Sequence, residues 1–327
     1  MLDTKYLYVF HGYGGENSLL PLAKYMSEQG HAIFTIDTQR FFHNREETLQ
    51  LLTEQMENFR VVFLTSAHLW FDEYNYHDFY GSDPAMLSAI ELMDFLHPIC
   101  SVYYPHDLEC FMHPSEMRWA SLFDYVLLPY KNNAYYKLRK ICRHVEIVGW
   151  IKKQHEISIS HNNPSIQYSP VFFPSNIITF YQQLGVEGYA QWFFKYINPS
   201  IPLKMPMNEP ELSTIMCKQG YTFIDASRSI YDTMSVHNLV IASGSSSIVY
   251  EAAFSGIPVI TLLDGVFSDE VYRKELPGMK GIYPLHPEEL NSFIEDINKN
   301  HIQLSTGPNI LAPFDFEKVY HYITAPM

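Results

Sequence analysis

The sequence predicts an α/β protein built from two parallel-sheet domains in tandem. Three observations carry that reading. Short β-rich runs alternate with helix-like stretches at the spacing of βαβ units. The alternation breaks once, over residues 151–168, and then restarts. A chain of 327 residues also exceeds what a single core usually serves.

In the first domain, residues 1–150, the run Tyr6 to Phe10 reads as a strand. His11-Gly12-Tyr13-Gly14-Gly15 follows as a glycine-rich loop, and an amphipathic helix spans Ser18 to Gln29. His31 to Asp37, Val61 to Ser66, Cys100 to Tyr104, Tyr125 to Pro129 and Val145 to Gly149 read as further strands. Helices are expected from Arg45 to Asn58, Ala85 to Leu96, Ser115 to Phe123 and Ala134 to Ile141. Residues 67–84 are aromatic and acidic and read as a loop. The polar run through 151–168 has no period and reads as a linker.

The second domain, residues 169–313, alternates in the same way. Strands are expected at Val171 to Phe173, Ile201 to Lys204 and Tyr221 to Asp225. Helices are expected at Val186 to Tyr196, Glu209 to Lys218 and Ile230 to Val236. After Asp264 the pattern supports a helix from Glu288 to Asn298 after Pro287. Residues 314–327 form a terminal amphipathic helix that is free to pack back on the first domain.

Composition narrows the function. A net charge of −14 argues against nucleic acid as the main partner, because a phosphate backbone calls for a basic face. Cys100, Cys110, Cys142 and Cys217 show no metal-ligand spacing. They read as reduced thiols of a cytoplasmic protein without a metal site. No signal peptide and no bilayer-spanning apolar stretch is visible. Peripheral contact at the inner face of a membrane, through exposed aromatics, is compatible with the sequence, which does not localise it. No motif encodes the oligomeric state.

Residues 239–262, LVIASGSSSIVYEAAFSGIPVITL, are the most informative stretch. They read as strand, tight turn, helix and second strand. Gly244, Ser245, Ser246 and Ser247 place three hydroxyls and several backbone N–H groups at a helix N-terminus, which suits an anion. Ser245 could simply cap the helix, but a cap needs one serine rather than three. Glu251 follows one turn later.

Taken with Lys204, Asp225, Ile230-Tyr231-Asp232, Asn238 and Gly256-Ile257-Pro258-Val259, this stretch resembles the GT-B glycosyltransferases. It is most similar to bacterial surface-polymer enzymes of that architecture: CDP-glycerol glycerophosphotransferases, capsule glycosyltransferases and UDP-GlcNAc 2-epimerases. The resemblance implies two Rossmann-like domains facing a central cleft. It also implies transfer of a sugar, or alternatively of a polyol phosphate, from a nucleotide-activated donor to a glycan or other hydroxyl acceptor, with no cofactor. The serine turn would hold the donor phosphate. Lys204, Asp225 and Glu251 would contact its sugar or nucleotide, and Gly12, Gly14 and Gly15 would form a loop facing the cleft. One departure stands out: where many relatives carry His-Pro after the lysine-bearing strand, this chain reads Lys204-Met205-Pro206.

Transfer to a hydroxyl needs a base and a stabilised leaving phosphate. His106 and Asp107 follow a predicted strand, where open α/β sheets place their ligands. A base role for His106 is what the resemblance implies; Asp107 is the alternative or its orienter, and His11, at another strand end, is the rival. Asp72, Glu73, Asp78 and Asp83 contain no DxD and read as a solvated loop. An epimerase would need more carboxylates than Glu251 provides. A non-catalytic sugar-nucleotide binder is the reading that the missing His-Pro histidine supports.

Overall fold

The computed structural model describes residues 5–10, 12–37, 44–54, 59–65, 95–105, 108, 120–121, 123–153, 156–157, 167–174, 177–205, 210–243, 246–263 and 279–324. The chain divides into two compact units: residues 1–154 with 312–327, and residues 155–311.

Unit 1 contains β1 (Lys5–Phe10), α1 (Gly12–Glu28), β2 (Ala32–Asp37), α2 (Arg45–Thr53), β3 (Phe59–Thr65), β4 (Cys100–Tyr103), β5 (Tyr125–Leu128), α3 (Asn133–Leu138) and β6 (His144–Ile147). Its strands form a parallel sheet in the order β2-β1-β3-β4-β5-β6. Parallel strands are covered on both faces and so carry nearly unbroken apolar runs; all four residues of β4 are buried. Leu7, Tyr103, Val126, Leu128 and Val145 meet Leu52, Phe123 and Leu138 in one core. The Asn132 side chain accepts from the Tyr135 N–H at 3.0 Å and starts α3, which buries Ala134 and Leu138 one turn apart.

One expectation is corrected here. Gly12, Gly14 and Gly15, read as a loop, lie within the first turn of α1. Each glycine costs a helix roughly 1 kcal/mol relative to alanine. Burial of Leu19, Leu22, Ala23 and Met26 along the same helix outweighs that cost.

Unit 2 contains β7 (Pro170–Phe173), α4 (Ile177–Tyr196), β8 (Leu203–Lys204), α5 (Pro210–Cys217), β9 (Phe223–Ile224), α6 (Ile230–Met234), β10 (Leu239–Ser243), α7 (Ile248–Phe254), β11 (Val259–Leu262), β12 (Ile282–Leu285) and α8 (Leu290–Asn298). Its parallel sheet runs β12-β11-β10-β7-β8-β9. Phe172, Phe193, Leu203, Leu212, Ile241 and Ile260 form its core. The helix α4 is broken at Gly185, whose φ of 68° and ψ of 174° are non-helical.

The last helix, α9 (Phe316–Thr324), belongs to unit 1. It packs against α1, with Tyr320 edge-on to Tyr25 and hydrogen-bonded to His31 at 3.2 Å. Lys318 Nζ donates to the Ile147 carbonyl at 2.9 Å, and the Tyr322 hydroxyl donates to Glu146 at 3.0 Å. Among the described residues no helix is long and apolar enough to cross a membrane.

Candidate functional site

The topology of unit 2 marks one place for a ligand. From β7 the chain builds outward through β8 and β9, then returns to place β10 on the other side of β7. The strand order therefore reverses between β7 and β10, and open α/β sheets bind ligands outside the carboxyl ends of the strands at such a switch. β10 is held there by its registers with β7 and β11, Ala242 opposite Phe173 and Ser243 opposite Leu262. Leu239 to Ala242 are at most 1% exposed, so the strand end is rigidly seated.

The serine turn leaves this strand end. Gly244 and Ser245 lie outside the described residues. Ser246 and Ser247 are half-buried and lead into α7. Ser247 occupies the N-cap position with helical dihedrals (φ −58°, ψ −18°) and makes no side-chain cap bond. Its hydroxyl is thus not consumed in capping. The carbonyls of Ser246 and Ser247 accept from Val249, Tyr250 and Glu251, while the opening N–H groups of a helix have no intrahelical partner. Every residue of α7 is buried, which fixes the direction of that N-terminus.

Lys204 ends β8 and Asp225 follows β9, at the same edge of the sheet. One strand, β7, separates β8 from β10, a spacing of roughly 10 Å between strand axes. Lys204 is 5% exposed, and its ammonium donates to the Ala226 carbonyl at 2.9 Å and to the Met205 carbonyl at 3.4 Å. Burial holds its pKa below the ordinary lysine value, with the Asp225 charge acting in the opposite direction. Asp225 Oδ1 accepts from both the N–H and the hydroxyl of Ser227, each at 2.8 Å. Those bonds hold the Asp225 carboxyl below the usual carboxylate range, the backbone one first. Lys204 and Asp225 thus brace one turn, which orders the strand ends beside the switch.

Glu251 is placed differently from these. It lies one turn into α7 at 1% exposure, closed off from solvent within unit 2. In unit 1 the strand order reverses at β1, flanked by β2 and β3. His11, which follows β1, lies outside the described residues. So do His106, Asp107 and the stretch from Asp72 to Asp83.

Two polar arrangements were not legible in the sequence, one beside the site and one in unit 1 outside it. Ser227 and the Ala226 carbonyl complete the turn that Lys204 and Asp225 share. The spacing Asp225-Ala226-Ser227, an aspartate two residues before an N–H it can capture, was a usable signal. The second is Tyr104, whose buried hydroxyl donates to the Gly149 carbonyl at 3.0 Å and accepts from the Ile151 N–H at 3.0 Å. No local sequence pattern announces it.

No protein-family model matches this chain, and no curated protein matches it by sequence. Solved structures do. The S. aureus MnaA–UDP co-structure aligns at 13% identity over 98% of this chain and 96% of that one, with a TM-score of 0.57. The UDP-GlcNAc 2-epimerase of Neisseria meningitidis bound to UDP-GlcNAc aligns at 14% identity over 98% and 99%, with a TM-score of 0.53. The glycotransferase of kitacinnamycin aligns at 11% identity over 90% and 91%, with a TM-score of 0.51. At such identities the likeness is one of fold. The chain has the GT-B fold, with a parallel α/β sheet in each of its two units.

Proposed function

We propose that the chain is a sugar-nucleotide-dependent enzyme that transfers a sugar from its donor to a hydroxyl acceptor without a metal ion. The observation that carries this reading is the gathering of Ser246, Ser247, Lys204 and Asp225 at the carboxyl ends of the unit 2 strands that surround the switch. In this reading the serine turn, with Gly244 and Ser245, binds the donor phosphates through hydroxyl and backbone N–H donors. As the acceptor oxygen bonds to the anomeric carbon, the bond from that carbon to phosphate oxygen breaks. The charge arriving on the phosphate is met by donors already in place, which lowers the barrier. The acceptor proton passes to a base, assigned to His106, with Asp107 and His11 as alternatives. Lys204 and Asp225 act by bracing the adjacent turn. Glu251 reaches a donor hydroxyl only if α7 opens toward the ligand.

Epimerisation of a UDP-sugar is the second reading. One of the fold neighbours, the UDP-GlcNAc 2-epimerase bound to UDP-GlcNAc, favours it. Incubation with UDP-, CMP-, CDP- and GDP-activated donors separates the two. Nucleotide release that depends on an added acceptor supports transfer, and sugar turnover without acceptor supports epimerisation. Binding without turnover sinks both and leaves a sugar-nucleotide binder. Ser246→Ala with Ser247→Ala weakens donor binding by about 1–3 kcal/mol, the cost of losing bonds to a charged group. Unchanged affinity in calorimetry removes the phosphate assignment.

A further inference from the structure

A run of unopposed positive charge lies in unit 1, around α3. No acidic residue occurs between Asp124 and Glu146, while five of the chain's 22 lysines and arginines stand in that interval. They are Lys131, Lys137, Arg139, Lys140 and Arg143, all exposed, in a chain of net charge −14. Arg143 is paired with Asp124 at 3.1 Å. Among the described residues no carboxylate pairs with the other four.

The apolar side chains beside these cations are also turned outward. α3 buries Ala134 and Leu138, which leaves Tyr136 56% exposed, and Ile141, directly after Lys140, is 50% exposed. Lys131 Nζ lies 5.1 Å from the centre of the Tyr136 ring, and the Arg139 guanidinium 5.6 Å from that of Tyr135. Lys131 follows the end of β5, and Ile141 and Arg143 lie just before β6, so the cations run the length of α3.

We propose that this basic, aromatic surface around α3 seats unit 1 on an anionic lipid bilayer. Charge complementarity selects an anionic partner. The exposed Tyr136 and Ile141 select a bilayer over a soluble polyanion, because a headgroup layer rewards an amphipathic ring and an aliphatic side chain set among cations. Each lysine or arginine near an anionic membrane surface raises partitioning about fivefold, and the attraction fades beyond a Debye length of about 8 Å at physiological salt. The surface is independent of the proposed reaction, so either reading stands without the other.

Sedimentation of the full chain with vesicles tests the proposal. Phosphatidylcholine vesicles containing phosphatidylglycerol should carry the protein down, vesicles of phosphatidylcholine alone should not, and added salt should release it. Lys137→Glu with Lys140→Glu should lower partitioning by more than about 25-fold. Ile141→Ser should lower it about three- to tenfold with an unchanged salt dependence. All three side chains are exposed, so unfolding midpoints should match the parent protein. The salt titration of the parent chain is a test that needs no variant. Equal binding to both vesicle types overturns the proposal, as does wild-type binding by the charge-reversed variant. Wild-type vesicle binding by Ile141→Ser, together with competition by heparin, also overturns it and assigns the patch to a soluble polyanion.

Discussion

Each unit is sealed by a segment that lies backbone against a glycine, and the two seals differ. In unit 1, Gly149 has a φ of +82°, and a Cβ there would stand 2.1 Å from the Pro313 carbonyl oxygen. The Trp150 N–H donates to the Ala312 carbonyl at 2.9 Å and the Asp315 N–H to the Val148 carbonyl at 2.8 Å. In unit 2, a Cβ on Gly281 (φ +85°) would stand 2.2 Å from the Gly307 nitrogen, and one on Gly307 would stand 2.1 Å from the Ala253 carbonyl oxygen. The Ile310 and Leu311 N–H groups then reach the Phe254 carbonyl. Unit 2 closes with chain from its own neighbourhood. Unit 1 closes with chain that arrives after the whole of unit 2, and it adds the Lys318, Tyr322 and Tyr320 side-chain clamps and the Phe314 ring against Tyr104. Both seals carry side-chain bonds, Tyr283 with Ser305 in unit 2 and the α9 clamps in unit 1, so what separates them is how far in sequence the sealing segment has come.

The comparison breaks most severely if the chain is cut after Leu311. That removes buried Phe314, Val319 and Ile323 from unit 1, each worth about 1.5–3 kcal/mol, a loss on the scale of a domain's whole stability. Hydrogen exchange should become fast in β1 and β4 while β10 and β11 stay protected; protection kept in β1 would sink the claim. Next come Gly149→Ala and Gly281→Ala. Each forces a Cβ into backbone that cannot swing aside and should cost about 3 kcal/mol or more. Exchange should rise in unit 1 for the first and in unit 2 for the second, and a shared response would contradict separate seals. Gly30→Ala is the control: its φ is +88° with nothing within 4 Å of the added Cβ, so it should cost only about 1–2 kcal/mol. A cost equal to that of Gly149→Ala would mean that conformation, not contact, demands the glycine.

Tyr322→Phe probes the smallest effect, about 1 kcal/mol from the lost bond to Glu146. Burial, then the Glu146 bond, pushes the Tyr322 pKa from 10.0 to about 12. The folded state therefore favours the neutral phenol. That stability is present below about pH 10 and is lost as pH rises toward 12. Denaturation profiles of the phenylalanine variant should decline less across this window than those of the parent.

Strand β10, helix α7 and strand β11 were legible because they are local: an apolar run, a serine-rich stretch and Gly256 follow in order. Asp225 and Lys204 were legible as strand-end residues, but their shared turn needs the fold. β12 was missed because Pro284 interrupts its apolar run; proline is tolerated there since β12 is an edge strand. The first half of α4 was missed because Gly185 splits the period. Gly12, Gly14 and Gly15 misled because propensity is a weak prior against tertiary burial. Nothing near Gly149 in sequence reveals that Pro313 will lie on it.

That last contact has a consequence for the order of folding during synthesis. Residues 155–311 leave the ribosome as one uninterrupted block that carries every strand of its own sheet. The sheet of unit 1 is made first, yet its seal on Gly149 and the helix α9 are made only after residues 155–311. Domains generally fold as units as they emerge. Here the first-made sheet gains its cover over Tyr104 and Trp150 only after residues 155–311 have been synthesised.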